Sequence, residues 1–325
     1  MHPQRNHLLF AFLVWLSSFV HAQAQTPTVS LTVSNALSCS QLSATLTAAT
    51  SCTGGVSYRF TGPNDFVLET TSPVVSVTVD GEYTVVASNT ATGCTATRSA
   101  TLTSTLHPDY LPLVDLYRST NGPNWTNNSG WLINCEPCSG WYGIVCWRNQ
   151  VVFLDLDNNQ LKGTLPSSLH QLKTTTSFWF AQNQLQGNIP ASLTLCQNMV
   201  SLRLNGNQLV GIIPAGVTSL TGLNWLDLSE NQLTGIIPQD IDNLTNLGGI
   251  NLEGNQLTGT VPVGLTALTR LDILRLGDNQ LTGPIPSGFG KDGKQMQQFL
   301  LQNNRLTGPL PADLGNLTDI SYYST

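Results

Sequence analysis

The chain has 325 residues, a formal net charge of −6, 10% charged residues and seven Cys. An acidic, sparsely charged chain with no basic run is a poor match for nucleic acid or an anionic membrane surface. Its length points to two domains on the usual size prior.

Met1 to His7 carries Arg5, Leu8 to Val20 is apolar, and Ala22-Gln23-Ala24 supplies small residues, so residues 1–24 read as a secretory signal peptide cleaved near Gln25. The run is too short to span a bilayer. With no second run of spanning length, no membrane-spanning segment is expected after cleavage, and the mature chain is expected to be secreted or at the cell surface. Cleavage removes Arg5 and no acid, which takes the charge from −6 to −7, and leaves His107 and His170 as the remaining His. All seven Cys lie in the exported part, where disulfides persist, and an odd number leaves one thiol free or paired with another chain.

Residues 26–104 read as short strands and turns. Val29 to Val33, Leu42 to Leu46, Val56 to Phe60, Val75 to Val79, Tyr83 to Ala87 and Thr95 to Leu102 alternate or run apolar, with Gly54-Gly55, Gly62-Pro63-Asn64 and Asp80-Gly81 between them. That spacing predicts an antiparallel sandwich. Asp80-Gly81-Glu82-Tyr83 resembles the tyrosine corner of immunoglobulin-like domains, and the whole stretch resembles the small Ig-like modules of bacterial surface proteins, which implies a spacer or adhesion role. It departs from antibody domains at Val85, where they place their second core Cys, and lacks a Trp on the third strand. Cys39 precedes the second strand and Cys94 the last, so a Cys39–Cys94 bridge is the favoured reading and a Cys39–Cys52 clasp the alternative. Sequence alone does not decide connectivity.

Residues 105–150 follow. Leu113, Val114, Leu116 and Tyr117 have helical spacing within Asp109 to Ser119, which stops before Asn121-Gly122. A dense cluster comes next: Trp125, Trp131, Cys135, Cys138, Trp141-Tyr142-Gly143 and Cys146-Trp147. Its Trp are expected to be core, because large aromatics dominate burial in small units. Cys135, Cys138 and Cys146 lack a fourth ligand or a neighbouring His, so disulfides rather than zinc are expected. The cluster, with Thr120-Asn121-Gly122-Pro123-Asn124-Trp125 ahead of it, resembles the amino-terminal cap of plant-type leucine-rich repeat proteins, bacterial relatives included. That resemblance implies a Cys138–Cys146 bridge, with Cys135 leaving the pairing open.

Residues 151–325 repeat one phrase seven times and begin it again. Asn159, Asn183, Asn207, Asn231, Asn255, Asn279 and Asn304 recur at steps of 24 residues, with one step of 25. A period in that range marks a solenoid. In Leu226-Asp227-Leu228-Ser229-Glu230-Asn231-Gln232-Leu233 the alternating Leu point inward from a short strand and the residues between them point out. Thr234-Gly235-Ile236-Ile237-Pro238 follows, and this phrase resembles the plant-type class of leucine-rich repeats, which adds a second short strand there. The fold class expected is therefore mixed: an all-β Ig-like sandwich, then a leucine-rich repeat solenoid with a curved parallel sheet on its concave face. The resemblance includes no kinase domain, so the chain matches only the ectodomain half of receptor-like relatives.

The repeated Asn is expected to be structural, satisfying backbone groups of its own and the neighbouring coil. Cys196 sits where other coils place Leu220, Leu244 and Leu268, and so reads as the buried free thiol. Gly290-Lys291-Asp292-Gly293-Lys294 breaks one coil and predicts a mobile bulge, and Asp319-Ile320-Ser321-Tyr322-Tyr323 opens an eighth coil, its end shielded by the two Tyr, paired with another chain, or continued in a longer protein.

Function is expected on the outward strand positions. One lane reads Phe153, Ser177, Ser201, Trp225, Gly249, Ile273 and Gln298; the next reads Asp155, Trp179, Arg203, Asp227, Asn251, Arg275 and Leu300; the third includes Asp157, Ala181, Ser229 and Glu253. Neighbours about 4.8 Å apart give a face roughly 30 Å long. Exposed aromatics and Arg dominate binding hot spots. Phe153, Asp155, Trp179, Arg203, Trp225, Asp227, Asn251 and Arg275 are thus the expected ligand-binding residues, for an extracellular protein, peptide or glycan. The competing reading makes the Trp neighbour covers and pairs Arg203 and Arg275 with Asp227 and other acids. A structural or adhesive spacer is the alternative function. A glycoside-active enzyme built on Asp155, Asp157, Asp227 and Glu253 is remote, because no cleft excludes water there. His107 and His170 lie off this face, so no catalytic residue, metal or cofactor is expected. Sequons at Asn124, Asn127, Asn243 and Asn316 carry no meaning in a bacterium.

Overall fold

The computed structural model describes residues 26–291, 296–317 and, as backbone, 322–324. The proposed signal peptide and most of the expected bulge lie outside the described residues. The chain divides into two compact units, Met1–Ser104 and Thr105–Thr325.

Among the described residues of the first unit, seven strands form two antiparallel sheets. β1 (Val29–Val33), β2 (Ala44–Thr50) and β5 (Val74–Val77) make one, in the order β1-β2-β5; β3 (Ser57–Gly62), β4 (Phe66–Thr70), β6 (Gly81–Asn89) and β7 (Cys94–Leu102) make the other, in the order β4-β3-β6-β7. Period-two patterning explains the burial: Leu31, Leu46, Ala48, Val75 and Val77 are buried on one sheet and Tyr58, Phe60, Tyr83, Val85 and Ala87 on the other, with exposed residues between. Two such sheets are compatible with a sandwich. β4 was not expected, because Phe66 to Thr70 buries no residue and so carries no alternating signal. The Tyr83 hydroxyl donates to the Val79 carbonyl at 2.8 Å, a bond from β6 to the chain just before it.

The disulfide of this unit corrects the favoured reading. Cys94 pairs with Cys52, not Cys39, at a Cα separation of 5.8 Å. Asn89, at the end of β6, donates to the Thr53 carbonyl at 2.7 Å and so lays the loop after β2 against the β6–β7 turn. That brings Cys52 within the reach a bridge demands. Cys39 and Cys135 are also disulfide-bonded.

The second unit opens with α1 (Tyr110–Ser119), whose Tyr110, Leu113, Val114 and Leu116 are buried. Ahead of it, buried Asp109 accepts from the Val151 amide at 2.9 Å and His107 Nε2 lies 2.8 Å from the Asn149 carbonyl, tying the helix start to the first strand pair. Trp125, Trp131 and Trp141 form one buried cluster, with centroids 4.8 Å apart from Trp125 to Trp131 and from Trp131 to Trp141. Trp147 departs from the expectation of core: it is 68% exposed, because it follows Cys146 on the outward side of an edge strand. Cys138 and Cys146 form a disulfide.

Nine strands then form one sheet. Ile144–Trp147 runs antiparallel to Gln150–Asp155, and Ser177–Trp179, Ser201–Arg203, Trp225–Asp227, Gly249–Asn251, Ile273–Arg275, Gln298–Leu300 and Tyr322–Ser324 add in parallel, one per coil. Short parallel strands such as Gln184–Asn188 and Gln208–Ile212 build a flanking sheet after each Asn, and 3-10 turns such as Ala191–Leu195 close each coil. The centre is aliphatic: Leu226, Leu228, Leu233, Ile237, Ile241, Leu244 and Leu247 are buried in a single coil. Each contributes about 1.5–3 kcal/mol on leaving water.

Candidate ligand-binding face

Strand alternation sends Leu154, Phe178, Leu202, Leu226, Ile250, Leu274 and Phe299 into the core, so their neighbours must point out. The register aligns those neighbours coil by coil: Phe153 beside Ser177 beside Ser201 beside Trp225 beside Gly249, and Asp155 beside Trp179 beside Arg203 beside Asp227 beside Asn251 beside Arg275.

The first three coils bring one group together. The Phe153 and Trp179 rings meet edge to face at 4.6 Å, and the Arg203 guanidinium lies 4.6 Å from the Trp179 ring centroid. Trp179 Nε1 donates to Ser201 Oγ at 3.0 Å, which holds the indole in place between Phe153 and Arg203. Arg203 reaches past the small Ala181 toward Asp157, at 3.8 Å from Nη1 to Oδ2. Asp157 also accepts from the Ala181 amide at 2.6 Å. Burial pushes the Asp157 carboxyl above its ordinary range, against the lowering effects of that amide and of Arg203. Arg203 Nε is buried without a protein partner. The Arg203 side chain as a whole is 34% exposed, so the outer part of the stacked guanidinium is open to a ligand acceptor.

The middle coils differ. Asp227 accepts from the Ser229 amide at 3.1 Å and from its hydroxyl at 2.7 Å, and Asn251 donates to the same hydroxyl at 3.0 Å. Asp227, Ser229 and Asn251 are all buried, a closed polar set with little left for a ligand. Trp225 stands apart from Trp179: its ring lies across Gly249, where an added Cβ would meet the ring at 2.0 Å. Arg275 donates through Nε to Gln298 Oε1 at 2.6 Å, and Glu253 accepts from Gln302 at 2.8 Å. Neither Arg uses Asp227. Asp155 accepts from the Asp157 amide at 3.2 Å. Among the described residues no cluster of three or more metal-ligating side chains occurs.

Sequence reasoning placed Asp157, Ser201 and Gly249 in the lanes of this face but did not choose them as ligand-binding residues. The register carried the signal, since Ser201 sits one coil from Trp179 in the neighbouring lane, and Gly249 beside Trp225. The Asn ladder turns wholly inward: Asn231 Nδ2 donates to the carbonyls of Leu204, Leu228 and Ser229, and its Oδ1 accepts from the Leu209 amide at 2.9 Å. The same pattern repeats at Asn207, Asn255 and Asn279.

Leucine-rich repeat models match residues 197–257 and, repeat by repeat, residues 150–172, 270–291 and 295–317. The second unit carries leucine-rich repeats stacked on one parallel sheet. The PEPR1–AtPEP1 complex is 29% identical over 67% of this chain and 31% of its own, with a TM-score of 0.60. The Arabidopsis receptor kinase HAESA, solved with the peptide hormone IDA and the co-receptor SERK1, is 32% identical over 66% of this chain and 37% of its own, also at 0.60. A plant ice-binding protein is 25% identical over 66% of this chain and 84% of its own, at 0.54. No curated protein matches. The chain spans about a third of the length of the two receptor chains.

Proposed function

We propose that this chain is an extracellular, non-enzymatic recognition module whose sheet face binds a peptide or protein ligand, with the first unit an Ig-like spacer. The observation that carries this reading is the Phe153–Trp179–Arg203–Asp157 group, an aromatic stack with a partly exposed guanidinium laid over it. Receptor neighbours solved with a peptide hormone support it, and six disulfide-bonded Cys fit an oxidising compartment. Peptides selected on the full chain by display are expected to bind the Trp179→Ala and Arg203→Ala variants at least tenfold more weakly, with the melting temperature nearly unchanged. Equal binding by both variants would sink the reading.

A second reading, adsorption to ice, is favoured by the flanking sheet. Its outward residues from Gln184 to Pro284 carry no charge, and Thr234, Thr258 and Thr282 each donate to the Gly carbonyl of the preceding coil at 3.1–3.2 Å, which fixes their methyls in a regular row. Inhibition of ice recrystallisation by the wild type, abolished in Thr258→Lys, is the expected result; no inhibition by the wild type refutes it.

A further inference from the structure

We propose that the cleft beside Trp225 is a saccharide site that takes a pyranose ring of a neutral β-linked oligosaccharide. It is distinct from the Trp179 group and does not depend on the peptide reading.

The cleft owes its existence to one coil. Where the neighbouring coils place Val200-Ser201, Asn224-Trp225 and Asp272-Ile273 at the strand entrance, this coil has Gly248-Gly249. The Trp225 ring and the Asn224 amide lean into the space of the two missing side chains, and an open depression of about 520 Å³ lies between Trp225 and Ile273, bordered by Asn224, Arg270 and Asp272. That volume lies in the range of small-molecule sites. Neither glycine has a positive φ, so the backbone does not require glycine there. What Gly249 supplies is room. Carbons of the Trp225 ring lie 2.0 and 2.3 Å from where its Cβ would stand, so the partly exposed indole rests over the bare backbone of Gly249.

The chemistry around that platform suits a sugar. A flat ring with equatorial hydroxyls presents axial C–H groups to an aromatic face, whose negative quadrupole attracts them, and directs its hydroxyls sideways to polar partners. Those partners are present and uncommitted. The Trp225 indole N–H and the Asp272 carboxylate make no hydrogen bond among the described residues, in contrast to Trp179, whose N–H is spent on Ser201. Arg270 is held by Asn246 Oδ1 at 2.8 Å and keeps further donors free, and Asn224 uses only its Nδ2, on the Asn246 carbonyl at 3.1 Å. One acid and one base border the cleft, which offers donors and acceptors to neighbouring hydroxyls with no net charge, so a neutral ligand is preferred.

The test titrates the full chain with cellotetraose by calorimetry. Saturable binding with a Kd of about 1 mM or tighter is expected. It should weaken at least tenfold in Trp225→Ala and severalfold in Asp272→Asn and Gly249→Ala, and stay unchanged in Trp179→Ala. A thermal melt accompanies each variant, and if Trp225→Ala fails to fold, Asp272→Asn, a surface isostere, decides. No binding of cellotetraose at about 10 mM overturns the proposal. Binding left undiminished by Trp225→Ala or Asp272→Asn, or that falls in Trp179→Ala, overturns it equally. Because Trp225, Asp272 and Gly249 lie outside the Trp179 group, failure here leaves the peptide reading standing.

Discussion

Asn231 illustrates a residue whose repetition attracts attention and whose chemistry is entirely internal. Its amide is buried and makes four hydrogen bonds to backbone groups of two coils, so Asn231→Ala strands buried carbonyls and the Leu209 amide. A loss of about 1–3 kcal/mol is expected in urea denaturation, with larger-scale contacts unchanged. Asp157 makes the opposite point about charge. Its folded pKa stands above the ordinary 3.8, so the native state holds that proton more tightly than the unfolded chain. Its contribution to stability is then greatest below 3.8 and declines as pH rises from 3.8 through the raised value. Asp157→Asn removes the decline, so the stability of the variant relative to wild type should improve between about pH 3 and pH 7. A difference that stays constant across that range would contradict the sign. Cys196 is buried and free, with its thiol pushed up to about 11 by burial. Native protein should therefore resist a maleimide at neutral pH and react only when unfolded, as mass spectrometry would record.

At the scale of elements, the two units use different fastenings. The Cys52–Cys94 bridge spans a sequence separation of 42 and joins the loop after β2 to the start of β7. Replacing both Cys with Ala should cost the first unit about 2–4 kcal/mol, read as a lowered calorimetric transition. The second unit relies on close stacking of its first coil on α1. Gly163 has φ +132° and an added Cβ would sit 2.0 Å from the Ser119 carbonyl oxygen, so Gly163→Ala is expected to lower the melting temperature of the solenoid by several degrees. These contacts explain what patterning left out. Periodicity located the strands because alternation is a one-dimensional signal, yet it missed β4, whose residues bury nothing, and misplaced Trp147, whose exposure follows from an edge strand. Cys pairing escaped it for a related reason, because the approach of Cys52 to Cys94 depends on a bond from Asn89 to a loop distant in sequence.

For the whole molecule, the solenoid of the second unit distributes its core evenly. Every coil buries its own Leu between two neighbours, so an interior defect severs both interfaces. Leu252, fully buried, tests this: Leu252→Ala should cost about 2–5 kcal/mol, and hydrogen exchange should show faster amide exchange in the coils on either side as well as its own. Faster exchange confined to that coil would show that the coils are less coupled than the stack implies.

What the sequence determined by itself was the period and therefore the frame: which residues enter the core, which point outward, and which outward residues share a lane. Side-chain alternation on a strand is a local property, so it is written in the order of residues. Only the tertiary structure decided how those lanes are used. Side chains of neighbouring coils compete for the same space, and that competition closed Asp227, Ser229 and Asn251 into a set of their own, laid Arg203 over Trp179 toward Asp157, and left Trp225 on the bare backbone of Gly249 with its polar edge unspent.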